Sequence, residues 1–343
     1  MKGEKVSAIL AAATVLVMVV YTGNRLCSSG KATQPEQSQA TEPPVTAAPT
    51  LPTVPATEAT EETTETQPQP DDALIAVLGE TMAGMDGEHI FVYDVSAGQM
   101  LCSKTAETDR LYPASITKLY TAWLALQYLE PDTVVTAGEE LALVGSGSSL
   151  AYLSRGCELT VEMLVEGMLL PSGNDAAYVL AAAAGRAIAG SETLGAESAV
   201  QMFVAEMNRQ AEELSMVNSN FTNPDGYHTG AHYSCPADIV LIGTLAMENE
   251  IILRYTGMEA ESVTFASGEK ITWYNTNRMV NRGTDQYCAD AVGLKTGYTG
   301  EAGYCLLTAF DDGENRILVG IFGADKNYPR YKNAAALWQC CGD

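Results

Sequence analysis

Eight of the 14 prolines in this 343-residue chain fall between Pro35 and Pro70, and that one stretch decides how much of the chain can fold. Around them the residues are mostly Thr, Ala, Glu and Gln, with few large apolar side chains. Such a segment buries too little surface to offset the entropy of ordering it, so residues 28–72 read as a disordered tether. Apolar runs punctuated by Gly resume at about Leu74 and persist to the end. Residues 73–343 then form one domain with a sizeable core.

Ahead of the tether, Lys2 and Lys5 precede an apolar run from Val6 to Tyr21 within residues 1–27. The run falls just short of the about 17–25 residues of a spanning helix, and Thr22 and Gly23 extend it. No convincing small-x-small cleavage site follows. Cys27 is preceded by Asn24, Arg25 and Leu26, not by the small residues of a lipoprotein signal. We expect an uncleaved membrane anchor with its lysines inside, a cleaved signal being the other reading; both export the domain.

The net charge is −24, and residues 73–343 hold 15 basic and 34 acidic side chains. A nucleic-acid partner needs a basic footprint, so this balance argues against one. The eight cysteines include no Cys-x-x-Cys pair, and the adjacent Cys340 and Cys341 bond each other only with strain. No zinc site is expected; the pattern leaves disulfides and buried free thiols both open.

Alternation predicts a strand over His89–Val95, a turn at Ser96-Ala97-Gly98 and a return strand over Gln99–Lys104. A second hairpin, Tyr304–Phe310 with Ile317–Phe322, lies near the C-terminus and is followed by a helix over Pro329–Gln339. Between the hairpins the period is helical: Ile116, Leu119, Tyr120, Trp123 and Leu126, then Thr160–Leu170, Asp175–Ile188, Ala199–Leu214 and Pro236–Glu248. Strands at both ends with helices between imply a mainly antiparallel sheet carrying an inserted helical region, a mixed α+β member of the broad α/β class.

The chain has three histidines, His89, His228 and His232, and no Gly-x-Ser-x-Gly elbow, so nothing points to a Ser-His-Asp triad. His228 and His232 have a helical metal-ligand spacing, but Gly226 and Gly230 favour a loop there and no third ligand stands out. A Ser-x-x-Lys pair activates serine differently: on one helix face the amine reaches the hydroxyl, and burial lowers the lysine pKa until it serves as a base. The pair occurs at Ser28/Lys31, Ser115/Lys118 and Ser267/Lys270. The first adjoins the tether and the third lies in a Gly-containing turn. Ser115/Lys118 opens an apolar-faced helix, whose N-terminal N–H groups suit a developing oxyanion. Taken alone it reads equally as a capping serine and a surface lysine.

Two further triplets follow in order. Ser172-Gly173-Asn174 sits in a polar turn between apolar helices, able to project a hydroxyl and an amide into a cleft; a plain loop with Asn174 as helix cap is the other reading. Lys295-Thr296-Gly297 precedes the C-terminal hairpin, where Lys and Thr suit a carboxylate and Gly permits close backbone approach; a surface strand ending in a turn has the same pattern. Ser-x-x-Lys, Ser-x-Asn and Lys-Thr-Gly in this order are the known signature of penicillin-binding proteins and class A β-lactamases.

The chain resembles the low-molecular-mass penicillin-binding proteins, serine-type D-Ala-D-Ala carboxypeptidases of peptidase family S11, over roughly Ile90 to Gly323. The likeness rests on Pro113-Ala114-Ser115-Ile116-Thr117-Lys118, Leu170-Pro171-Ser172-Gly173-Asn174-Asp175, Asn223-Pro224-Asp225-Gly226 with His232-Tyr233-Ser234, and Gly293-Leu294-Lys295-Thr296-Gly297-Tyr298-Thr299. Two departures are Cys235, where such enzymes usually carry Thr, and Val292, where an acidic residue is common.

The resemblance implies a serine β-lactamase/DD-peptidase-like fold and a set of roles. Ser115 is the nucleophile, Lys118 its general base, and Ser172 a proton relay. Asn174 binds the stem-peptide backbone, Lys295 and Thr296 hold its terminal carboxylate, and Gly297 belongs to the substrate-binding set. The backbone N–H groups of Ser115 and Tyr298 form the oxyanion hole. It implies a peptidoglycan stem peptide ending in D-Ala-D-Ala as substrate, β-lactam antibiotics as covalent inhibitors, and no metal or organic cofactor. The chain ends one helix after its last strand, so we expect neither the added β-rich domain nor the C-terminal membrane helix of many relatives; the N-terminal segment takes over anchoring at the extracytoplasmic face. A β-lactamase is disfavoured because no Glu-x-x-Leu-Asn element is present. A D,D-endopeptidase shares the site, and a non-catalytic wall-binding module would show eroded triplets.

Overall fold

Strand β1 (His89–Asp94) shows why the sheet needs cover on both sides: four consecutive residues, Ile90 to Tyr93, are buried. Alternation sends Phe91 to one face, where it stacks on Phe322 at 6.0 Å, and Ile90 and Val92 to the other. The structure, a computed structural model, describes residues 71–342. The expected anchor, Cys27, the Ser28/Lys31 pair and residues 28–70 of the tether lie outside the described residues; the tether's last two residues are described, Asp71 capping the first helix and Asp72 opening it.

Helix α1 (Asp72–Ala83) leads into β1, and Asp94 turns the chain by accepting the Ala97 N–H at 2.8 Å before β2 (Gln99–Ser103). The C-terminal strands are β7 (Ala291–Thr299), β8 (Gly303–Asp311) and β9 (Arg316–Ala324). They join the first hairpin in a five-stranded sheet of order β2-β1-β9-β8-β7, antiparallel throughout. On one face α1 and the last helix, α8 (Pro329–Gly342), cover Ile90, Val92, Phe310 and Val319. There Trp338 lies parallel to Phe310 at 5.2 Å and donates its indole N–H to Asp290.

The other face carries the inserted helices: α2 (Thr117–Tyr128), α3 (Val161–Leu169), α4 (Asn174–Ala189), α5 (Ala196–Glu213), α6 (Pro236–Glu248) and the short α7 (Glu250–Gly257). Eight of the twelve α2 residues are buried, on all sides of the helix. Two small hairpins decorate this region, β3 (Val134–Thr136) with β4 (Glu158–Thr160) and β5 (Ala260–Thr264) with β6 (Lys270–Tyr274).

Both expected hairpins and all the expected helices are present, within a few residues of their predicted bounds. Local differences are four. The helix after Pro113 begins with a 3-10 turn, Ala114–Ile116, so Ser115 precedes α2 rather than opening it. Asn174 is the first residue of α4, with Gly173 in the cap position. Helices α1 and α7 and the two small hairpins were not anticipated. Ser267/Lys270 falls in the β5–β6 turn, where the Ser267 hydroxyl donates to Glu269.

Candidate active site

Two glycines bring separate segments onto the Ser115 backbone. Gly226 has φ +80°, and a Cβ there would lie 1.9 Å from the Ala114 carbonyl oxygen. A Cβ on Gly297 would lie 3.0 Å from Ala114 Cβ and 3.1 Å from Ser115 N. Only residues without a side chain allow this approach. The Gly226 loop is set by Asn223, whose Oδ1 accepts the Gly226 N–H, and by Thr121, whose hydroxyl donates to Pro224 O. Ala114 itself has φ +46°, which turns Ser115 into the space between the segments.

Lys118 is fully buried and its Nζ donates to Ser115 Oγ at 2.9 Å and to Asp225 O at 2.7 Å. Burial pulls its pKa down to about 8, against the opposing pull of the Asp225 and Asp175 carboxylates. An amine so placed is neutral often enough near physiological pH to accept a proton from the hydroxyl beside it. Asp225 is itself buried, and burial raises its carboxyl above the usual range while Lys118 opposes that rise.

Ser172 reaches the same cleft from a backbone with φ +63°. The next residue, Gly173, is packed so tightly that a Cβ would lie 2.6 Å from Gly167 O and 2.7 Å from Ala151 Cβ. Asn174 donates from Nδ2 to Ser148 Oγ at 2.8 Å. Asp175 accepts the N–H groups of Ala151 and Leu153 at 2.7 and 2.9 Å, tying the preceding loop to the start of α4.

The opposite wall is β7. Lys295 is buried, and its Nζ donates to Thr296 O at 3.1 Å and Thr276 Oγ1 at 3.4 Å; the Thr296 hydroxyl also donates to Thr276, at 2.7 Å. Burial, then Lys118 and Arg330, hold the Lys295 pKa well below its ordinary value. Arg330, on the first turn of α8, donates to Cys305 O at 2.9 Å and Gly297 O at 3.3 Å, and its buried Nε has no partner among the described residues. A buried amine, a guanidinium and two hydroxyls at one end of a cleft form a receptor for a carboxylate.

These walls enclose a cleft of about 730 Å³. Ser115, Ser172, Asn174, Thr296, Gly297 and Tyr298 line it, with Lys118 and Lys295 buried behind it. The structure therefore brings together every site residue named from the sequence. Sequence reasoning missed Thr276 and Arg330, which belong to no triplet: Thr276 sits in the loop after β6, its N–H donating to Leu170 O, and Arg330 arrives on α8. Val292 packs against the core rather than facing the chemistry, and the Cys235 thiol is buried, with burial pushing its pKa up to about 12. The seven described cysteines are all unpaired. His232 accepts the Thr222 N–H on Nδ1 and so donates from Nε2 to Thr117, 2.9 Å away; burial brings its pKa to about 3. It pins the base of α2.

Comparison with known proteins agrees with this geometry. The sequence pattern of the D-alanyl-D-alanine carboxypeptidase family matches residues 77–326. The chain is 33% identical over 242 residues to D-alanyl-D-alanine carboxypeptidase DacF of Bacillus subtilis, covering 69% of this chain and 57% of DacF. It is 33% identical over 269 residues to the D-alanyl-D-alanine carboxypeptidase of Streptomyces sp. strain K15, covering 76% of this chain and 87% of that protein. The match thus spans little more than half of DacF. Among solved structures, that of the Streptomyces K15 DD-transpeptidase superposes with a TM-score of 0.66 at 29% identity, covering 75% of this chain and 97% of that one. Penicillin-binding protein D2 from Listeria monocytogenes in the cefotaxime-bound form gives 0.61 at 25% identity, covering 76% and 98%. By site geometry, fold and sequence alike, this chain belongs to the D-alanyl-D-alanine carboxypeptidase family.

Proposed function

We propose that the chain is a serine D-alanyl-D-alanine carboxypeptidase that removes the terminal D-Ala from peptidoglycan stem pentapeptides through a Ser115 acyl-enzyme. The observation carrying this reading is the 2.9 Å contact between Ser115 Oγ and the buried Lys118 amine, opposite the Lys295–Thr296–Arg330 cluster. The stem peptide's carboxylate docks on that cluster. Neutral Lys118 takes the Ser115 proton as Oγ bonds to the penultimate carbonyl carbon, and the Ser115 and Tyr298 N–H groups receive the oxyanion. The C–N bond then breaks, the proton returns to the departing D-Ala amine by way of Ser172, and Asn174 holds the peptide backbone. Water hydrolyses the ester. A β-lactam presents the same carbonyl and carboxylate and is held as a covalent acyl-enzyme. Lys2, Lys5 and the apolar run after them support a tethered position on the extracytoplasmic face of the membrane.

Transfer of the acyl group to an amine is a second reading, favoured by the transpeptidase name of the similar Streptomyces K15 structure. Labelling with a fluorescent penicillin tests the shared step: wild type labels and Ser115→Ala does not. Equal labelling of both would sink the assignment. D-Ala release from a pentapeptide should outpace nitrocefin turnover, and a new peptide formed when an amine acceptor is added would favour transfer.

A further inference from the structure

The carboxylate receptor does not close its end of the cleft. Past Thr276, whose hydroxyl meets Lys295 and Thr296, the lining continues to Arg278, Asn327 and Tyr328. Arg278 opens a 3-10 turn, Arg278–Val280, and its guanidinium lies over the Tyr328 ring at 5.2 Å. That ring is 56% exposed and stands two residues ahead of Arg330. The two segments that supply Thr276 and Arg330 to the receptor therefore meet again beside it.

Nothing in the proposed chemistry uses this extension, and its polar groups are incompletely satisfied. Arg278 Nε donates to Gln286 Oε1 at 2.6 Å, but among the described residues no carboxylate pairs with the guanidinium. Arg330 Nε and Asn327 Oδ1 are buried, and neither has a partner among the described residues. The Asn327 amide offers a donor or an acceptor according to which way it is turned. A guanidinium held against an aromatic face, with N–H groups to spare, suits a planar anion. The methyl side chain of a terminal D-Ala engages none of these groups.

Reach favours a second carboxylate on the terminal residue. Thr276 and Arg278 are two residues apart, so their Cα atoms are separated by at most about 7 Å. The two carboxyl carbons of a glutamate are joined by four single bonds and lie about 5 Å apart when extended. With its α-carboxylate on the receptor, a terminal D-Glu carries its side-chain carboxylate within reach of Arg278.

Resting on the carboxypeptidase reading, we infer that Arg278 is a specificity-determining residue through which the cleft takes peptides whose last residue has an acidic side chain. The bond broken and the Ser115 ester formed are unchanged; only the departing amino acid differs. A bound peptide removes water from the guanidinium–carboxylate pair, which strengthens a contact that is weak when fully exposed.

Three peptides that differ only in the last residue test this, ending in D-Ala-D-Ala, D-Ala-D-Glu and D-Ala-D-Gln. Glutamine matches glutamate in size and lacks its charge. Wild type should favour the D-Glu peptide over its D-Gln twin by about three- to tenfold in kcat/KM. Arg278→Gln should bring that ratio close to one, and Arg278→Glu should push it below one. Because each value is a ratio within one protein preparation, loss of folded material cancels. A wild-type ratio of one, no cleavage of the D-Glu peptide, or a preference that survives in both variants would overturn the inference alone. So would a loss shared equally by all three peptides, which marks a purely structural arginine. Failure of wild type to release D-Ala from the D-Ala-D-Ala peptide, with Ser115 still labelled by penicillin, would overturn the carboxypeptidase reading and the inference with it.

Discussion

A lysine with no solvent contact beside a serine sets stability against reactivity. Below about pH 8 the buried Lys118 stays charged, a state that burial disfavours and the unfolded chain does not penalise. Between about 8 and the ordinary lysine value the unfolded chain binds the extra proton, so the penalty fades as pH rises. Lys118→Met should therefore raise stability at pH 7 by roughly 1–3 kcal/mol, with the gain shrinking above pH 8, while slowing penicillin acylation at least 100-fold. Thermal unfolding and labelling rates at a series of pH values check both; a variant that loses stability at pH 7 would contradict the reading. In wild type the acylation rate should rise with pH through about 8. The lysine could be found from sequence because a three-residue spacing that runs from the 3-10 turn into α2 brings it to Ser115, at the start of a buried helix. Arg330 could not: its place beside Lys295 follows from how α8 returns over the sheet, and no local pattern encodes that.

Helices were legible where their apolar period was long and their ends were marked, as at Thr160, whose hydroxyl caps α3, and at Gly190, which closes α4 with φ +61°. Helix α7 spans only eight residues, and its start depends on Asn249 accepting the N–H groups of Ile251 and Ile252. Strands β3 and β4 are only three residues each, too short for alternation to show, and β6 alternates in burial over just five. Packing between elements was less visible still. Helices α4 and α5 meet at Gly185, where a Cβ would lie 1.9 Å from Ala199 O. We expect Gly185→Ala to cost about 1–3 kcal/mol despite its better helix propensity. Because Ser172 and Asn174 are fixed at the far end of α4, penicillin labelling of the folded fraction should persist. A chemical-denaturation midpoint that does not fall would refute the crossing as drawn.

For the molecule as a whole, the two hairpins were visible in the chain but their union was not. Residue alternation identifies a strand without naming its neighbour, and β1 pairs with β9 from the opposite end of the domain. Helix α8 seals that union, burying Tyr331, Leu337 and Trp338. Each large apolar side chain buried is worth about 1.5–3 kcal/mol, so removing residues 329–343 forfeits an amount comparable to the roughly 5–15 kcal/mol that holds a domain folded. Such a truncation should show no cooperative melting transition by calorimetry. The same closure governs timing during biosynthesis. About 230 residues separate His89 from Phe322, its partner across the sheet, so the emerging polypeptide holds an incomplete sheet until nearly all of it has been made. Ser115 and its lysine are translated early and close together, yet the β7 wall that faces them comes late. A ribosome would thus release the domain with its first hairpin unpartnered on one side, and Ser115 facing an unfinished cleft until the final strands arrive.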